Sequence, residues 1–389
     1  MAVTEIPPPP PVAHAHHPPP PAVLALHKQY IKKPIEQLAD DPYILDLDNI
    51  SDYHKTRLQP ISELDKDRLL SDYKTFLEDG PENGVATELV ADPDGIRTTV
   101  YTHKNVPGIQ ILPSLPPAVQ TKVLERILLR DLSNPVHKTN LHAHYQLPYS
   151  QFSSDKPSYF HLDADTTFEP LDPTVHKPMT VQQALKKKLR WMTLGGQYDW
   201  TKKVYPEMVP RDGEEGVEGV DRRDEVPQFP PDLKRLIQAL FPQITPEAAI
   251  SNFYSPGDQL SPHRDVSEKS CKGLVSISIG CDALFLIGFA PDPLKEDGTV
   301  KTAEEVEAES KEHVLLVRLK SGDVIVMNGE SRWAWHAVPK VIRGTCPSNL
   351  QSWPGELKGL DGWDSWMSTK RVNLNVRQMW DPDQETKQM

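Results

Sequence analysis

Residues 252–265 read NFYSPGDQLSPHRD, and what its last three residues do decides what the rest of the chain must be. His263 and Asp265 are two apart, so on an extended strand both side chains leave one face while Arg264 leaves the other. An imidazole and a carboxylate thus converge where one metal ion can sit. The same spacing recurs at His161 and Asp163 within YFHLDAD, so spacing alone selects neither. Around His161 the chain is loop-like, with Pro157 before and Pro170 and Pro173 after, and no alternating strands follow.

After His263 the pattern changes. Leu274–Ile279 (LVSISI) alternates strictly, Ala283–Phe289 is an apolar run, and Val314–Leu319 meets Val324–Met327 through Ser-Gly-Asp, which reads as a tight turn between strands. This succession predicts a sheet. Next comes SRWAWHAV, which delivers His336. By itself His336 reads as a core histidine with satisfied nitrogens, and only its place in the ordered set makes it a third ligand. Two histidines and one carboxylate form the facial triad that leaves coordination positions open and typifies non-haem Fe(II) oxygenases. In the last run, RVNLNVR, Val372, Leu374 and Val376 alternate with Arg371, Asn373, Asn375 and Arg377. Such a strand is either a half-solvated edge or the wall of a barrel interior beside the metal. In the second case Arg371 can clamp a dicarboxylate through its planar fork. The two arginines lie about 20 Å apart on a straight strand at ~3.3 Å per residue, so they have different tasks.

Asn252-x-Tyr254-x-x-Gly257, His263-x-Asp265, the Ser-Gly-Asp turn, Ser331-Arg332 before His336 and the run Arg371–Arg377 together resemble the AlkB family of Fe(II)- and 2-oxoglutarate-dependent dioxygenases. The likeness is closest to the eukaryotic branch containing the first animal AlkB homologue, and it spans roughly Val106 to Trp380. It implies a double-stranded β-helix, a jelly-roll barrel with flanking helices. It also implies Fe(II) on His263, Asp265 and His336, and the distal carboxylate of 2-oxoglutarate on Arg371. Asn252, Tyr254, Asn373 and Arg377 would line the cosubstrate site, Arg377 at the end nearer the metal and substrate. The reaction implied is O2-dependent demethylation of methylated bases in RNA or DNA, 6-methyladenine or 1-methyladenine for example, releasing formaldehyde, succinate and CO2. The base would be single-stranded or flipped from a duplex. Bacterial AlkB has an acidic residue, two places after the metal aspartate, that touches the base. Here Ser267 stands there, followed by Glu268, and the animal branch also has serine. Both are candidate substrate residues, and the base stays open.

The composition is consistent with this picture. The 39 prolines in 389 residues are about twice the usual ~5% share and signal long irregular segments. A net charge of -12 argues against a non-specific nucleic-acid coat and leaves room for a local basic groove. Cys271, Cys281 and Cys346 are odd in number and lack Cys-x-x-Cys spacing, so no disulfide framework is expected. No transmembrane or secretory run appears, and a monomer in the cytoplasm or nucleus, away from membranes, is expected.

Around the core, residues 1–27 read as a disordered Pro/His-rich tail that can recruit a proline-binding module or hold a metal adventitiously. Residues 28–105 form a partly helical extension, with a helix predicted from Pro60, Ser62 as its N-cap and Asp65 at the capping-box position. Residues 106–389 form the catalytic domain. It opens with a strand at Gly108–Leu112 and a helix that places Val119, Val123, Ile127 and Leu128 on one face. Lys186, Lys187, Lys188 and Arg190, followed by Tyr198, Trp200, Lys202, Lys203 and Tyr205, form either a solvated face or a surface for bases and phosphates. The matching AlkB stretch belongs to the lid over the nucleotide, which makes Tyr198 and Trp200 candidate substrate residues. Residues 211–227 read as a surface loop, 291–312 as an acidic insertion, and 345–369 as an insertion whose Trp353, Trp363 and Trp366 either fold back on the loop or stand out as anchors. Two rival functions remain: an oxygenase acting on a protein or small molecule, and a non-catalytic jelly-roll binding module.

Overall fold

The alternating runs become strands in the computed structural model, which describes residues 18–79, 96–112, 115–206, 226–289, 295, 299–310 and 312–380. In chain order these are β1 (Ile44–Leu45), β2 (Leu58–Glu63), β3 (Thr99–His103), β4 (Val106–Leu112), β5 (Tyr145–Gln146), β6 (Thr167–Pro170), β7 (Met179–Thr180), β8 (Trp191–Gly195), β9 (Ala248–Tyr254), β10 (Leu260–His263), β11 (Leu274–Gly280), β12 (Ala283–Gly288), β13 (Val314–Leu319), β14 (Val324–Met327), β15 (Trp335–Val341) and β16 (Arg371–Arg377). The principal helices are α1 (Pro21–Lys32), α2 (Lys66–Glu78), α3 (Pro117–Leu124), α4 (Pro231–Leu240) and α5 (Ala303–Ser310).

A major sheet runs β2-β3-β4-β14-β11-β16-β9-β8 and a minor sheet β1-β13-β12-β15-β10. This is the expected jelly roll, mostly antiparallel with flanking helices. Val275, Ile277 and Ile279 of β11 stand in register with Val376, Leu374 and Val372 of β16, so these six side chains form one apolar face of the major sheet in the hydrophobic core. Val372, Leu374 and Val376 of β16 belong to that same core, as do Val119, Val123, Ile127 and Leu128 of α3 and its continuation. Arg371, Asn373, Asn375 and Arg377 therefore leave the opposite face of β16, where Asn375 and Arg377 meet Asp265 just after β10 of the minor sheet, so this face looks toward the minor sheet and the interior-wall alternative holds.

The expected tail is not irregular throughout. Residues 21–27 are helix, with Val23 and Tyr30 of α1 packed on Leu284, Leu286, Leu316 and Trp335. The continuous apolar run of β12 explains this: Phe285 and Ile287 face the barrel, Leu284 and Leu286 face outward, and the outward pair needs a cover. Pro7–Pro11, His14, His16 and His17 lie outside the described residues, as does most of the loop at 211–227.

The segment expected as a separate extension is built into the barrel instead. β1 pairs parallel with β13, and β2 and β3 lengthen the major sheet through β4. Ser62 lies inside β2, so it caps nothing. The helix starts at Lys66 with Asp65 as its N-cap, accepting from the Arg68 N–H at 3.0 Å. Pairing with Thr99–Tyr101 outweighed the local helical signal. In the insertion 345–369 the tryptophans fold inward. Trp353, Trp363 and Trp366 surround Phe160, and the Trp363 indole donates to the Phe160 carbonyl at 2.8 Å.

Candidate metal and cosubstrate site

β10 and β15 lie antiparallel at the rim of the minor sheet, with His263 and His336 directly paired. Their ring centroids are 4.3 Å apart. Each Nδ1 faces a carbonyl two residues upstream, Ser261 at 2.9 Å and Ala334 at 3.3 Å. A carbonyl only accepts, so both Nδ1 atoms carry the proton and both Nε2 lone pairs are left for a shared ligand. The nearer Asp265 oxygens lie 3.9 Å from each Nε2. One ligand atom from each of the three residues falls within 4.8 Å of the others, a spacing that one small cation satisfies. Burial, then neighbouring His263, holds the His336 imidazole down to about 3, so it stays neutral and able to ligate. Burial alone would raise the Asp265 carboxyl, but Arg377 and then His336 hold it well below the usual carboxylate range.

Asp265 is fixed from behind. Its Oδ2 accepts from Asn375 Nδ2 at 3.1 Å and pairs with Arg377 Nη2 at 3.2 Å. Arg377 Nη1 also meets Glu268 Oε1 at 3.0 Å and the Tyr205 hydroxyl at 3.3 Å. The other Glu268 oxygen takes Arg332 Nη2 at 3.0 Å, while Arg332 also bonds the Asp265 and Lys272 carbonyls. Glu268 thus sits buried between two arginines and has no face for a base, which corrects its assignment as a substrate residue. Ser267 donates its hydroxyl to the Lys203 carbonyl at 2.9 Å and ties the metal loop to the aromatic segment.

At the opposite end of β16, Arg371 is 1% exposed. Its Nε donates to Ser278 Oγ at 2.9 Å and its Nη2 to Asn373 Oδ1 at 2.8 Å, and its guanidinium lies 5.2 Å from the Tyr254 ring centroid. Nη1 is buried without a partner. A buried cationic nitrogen with an unmet donor is costly, and an anionic oxygen is what it fits. Trp191, Asn252, Asn373 and Ser278 form one row across β8, β9, β16 and β11, so all four side chains share a face. The structure thus gathers His263, Asp265 and His336 at one point with Arg377 against Asp265, and sets Asn252, Tyr254, Arg371 and Asn373 on one face toward the other end of β16. It adds Ser278, which the strict alternation of LVSISI already placed on a polar face. It also adds Trp191, whose only sequence signal was its position at the end of the lysine run.

Trp191 and Trp200 lie 5.2 Å apart and tilted by 39°, and Tyr198 meets both Trp200 and Tyr205 edge-on. Trp200 is 41% exposed, whereas Tyr205 is buried against Arg377. Lys186, Lys187 and Lys188 are exposed on the turn before β8. The second His-x-Asp makes no site. His161 Nδ1 is 2.7 Å from Ser158 Oγ, and Asp163 pairs with Lys156 at 3.0 Å.

Residues 159–377 match the family described as the 2OG-Fe(II) oxygenase superfamily. The chain is 45% identical over 292 residues to the N6-methyladenosine RNA demethylase ALKB1 of Pyricularia oryzae, covering 72% of this chain and 76% of that one. It is 38% identical over 292 residues to the tRNA demethylase abh1 of Schizosaccharomyces pombe, covering 73% and 83%. To the nucleic acid dioxygenase ALKBH1 of Homo sapiens it is 29% identical over 224 residues, covering 52% and 49%.

Proposed function

Because the chain belongs to the 2OG-Fe(II) oxygenase superfamily, within its AlkB branch, we propose that it removes methyl groups oxidatively from N6-methyladenine in RNA. The enzyme uses Fe(II), 2-oxoglutarate and O2. In this reading His263, Asp265 and His336 hold the metal. Arg371, Tyr254, Asn252 and Asn373 hold the cosubstrate, with the unpartnered Nη1 of Arg371 facing its distal carboxylate. Iron and 2-oxoglutarate together supply oxidation of the methyl C–H bond, after which the hydroxylated methyl leaves as formaldehyde. The protein's own work is to orient Asp265 through Asn375 and Arg377, keep the buried His336 imidazole neutral, and present one base.

The observation that carries the substrate class is the aromatic wall beside the triad. Trp191 and Trp200 give a base two π faces, Tyr198 closes the rim, and Lys186–Lys188 are exposed cations on the turn that leads into Trp191. Such a wall suits an unpaired base, which avoids the unstacking cost of a few kcal/mol. The named substrates of the Pyricularia and Schizosaccharomyces relatives favour RNA over DNA. Among the described residues no helix is long and apolar enough to cross a membrane. Three free cysteines add support for the cytoplasm or nucleus as its place.

The test is to load the protein anaerobically with Fe(II), then supply 2-oxoglutarate, O2 and short RNA and DNA strands carrying 6-methyladenine, 1-methyladenine or 3-methylcytosine. Formaldehyde, unmodified base and succinate are measured together. Stoichiometric repair of 6-methyladenine in RNA is the expected result. Succinate without repair on any strand would overturn the nucleic-acid reading and direct the search to a protein or small-molecule target.

A further inference from the structure

The outer side of the minor sheet carries a cavity that the oxygenase site does not use. It encloses about 220 Å³ between α1, the strand residues Leu286, Val314 and Leu316, and three tyrosines, Tyr30, Tyr43 and Tyr53. The tyrosines are held in place. The Tyr30 hydroxyl donates to Asp41 at 3.0 Å, and the same carboxylate accepts the Tyr43 N–H at 2.9 Å. Tyr53 lies edge-on to Tyr43 at 5.0 Å and under Arg57 at 4.0 Å, and its hydroxyl accepts from Asn105 at 3.2 Å. Tyr30 forms the floor at 3% exposure and Tyr43 the rim at 46%.

A fixed, tyrosine-rimmed apolar slot is the form of site that takes a polyproline II segment, which is already extended and loses little entropy on docking. The chain itself supplies such a segment. Pro7–Pro11 and Pro18–Pro20 precede α1, and α1, which forms one wall of the slot, begins at Pro21. Five prolines in polyproline II span about 16 Å at ~3.1 Å each. The α1 wall, Pro21–Lys32, spans about 18 Å at ~1.5 Å per residue. Residues 12–17 between the two proline runs reach about 20 Å when extended, enough for the first run to turn back along the helix. We propose that the tyrosine slot is a polyproline-binding site whose occupant is the Pro7–Pro11 segment of the same chain. The tail then competes for its own groove with any free proline-rich segment.

The test measures fluorescence anisotropy of a labelled peptide matching residues 4–14 against three full-length chains: the unaltered chain, one with Pro7→Ser through Pro11→Ser, and that chain with Tyr43→Ala added. A short linker sets a local tail concentration on the order of 1 mM, so for a peptide binding near 100 µM the tail weakens apparent binding about tenfold. The expected order is about tenfold tighter binding by the serine chain than by the unaltered chain, and loss of binding with Tyr43→Ala. Tyr43 is half exposed, so circular dichroism should not change. No binding by the serine chain would overturn the site, and binding that survives Tyr43→Ala would overturn its location. Equal binding by the first two chains, or a proline-dependent dimer in sedimentation, would overturn the intramolecular occupant.

Discussion

Glu268→Gln removes one charge and almost no volume from the most buried ion network near the metal. The carboxylate is 1% exposed and bridges Arg332 and Arg377, themselves 0% and 2% exposed, at 3.0 Å each. In the amide one oxygen becomes an NH2 that meets a guanidinium N–H, donor against donor, and one buried cation loses its anion. Breaking a buried pair costs about 3–5 kcal/mol. Arg377 keeps Asp265 and Tyr205, and Arg332 keeps two carbonyls, which places the loss near the lower end. At ~2–4 °C per kcal/mol for domains of 150–250 residues, and less for longer chains, about 3 kcal/mol lowers Tm by roughly 5–10 °C. Metal affinity should also fall about 10- to 100-fold, because Arg377 then holds Asp265 in a looser geometry. Scanning calorimetry in a chelator reads the first effect, and anaerobic Mn(II) titration reads the second. An unchanged Tm with unchanged metal affinity would refute the bridging role. If the oligonucleotide KM alone rose, Glu268 would return to the substrate contact first expected of it.

Arg371→Ala should raise the KM for 2-oxoglutarate about 10²- to 10³-fold, the worth of a bidentate charge-assisted pair, and leave Mn(II) binding unchanged in the same titration. Arg371→Lys should recover part of this and no more, because one ammonium cannot reproduce the fork. Lys186→Gln, Lys187→Gln and Lys188→Gln together should flatten the salt dependence of single-stranded RNA binding by up to about 0.7 per lysine in log–log slope. An unchanged slope would mark them as a solvated face. His103 provides the pH test. Burial, then His54, holds its imidazole down to about 3, below its unfolded value of 6.5. The native state therefore binds fewer protons, and stability is full above pH 6.5 and lost as pH falls below it. From pH 6.5 to 5 the loss is about 2 kcal/mol. Burial pushes Asp323 up to about 7, which acts in the opposite sense, so the comparison of chelated wild type with His103→Gln isolates the histidine. Equal pH slopes in the two would refute the assignment.

The sequence by itself determined what depends on the two-residue period of a strand. His263 with Asp265, and Arg371 through Arg377, had to share faces once those segments were extended, so the triad and its cosubstrate arginine were legible. Tertiary structure alone decided what depends on pairing between distant segments. Leu58–Glu63 became a strand because β3 was there to pair with it. Residues 21–27 became helix because Leu284 and Leu286 faced outward and needed burial. Glu268 followed the metal aspartate so closely that local reading aimed it at a substrate. Arg332 and Arg377 are 64 and 109 residues away along the chain, and they turned it inward, because a buried carboxylate goes where the buried cations are.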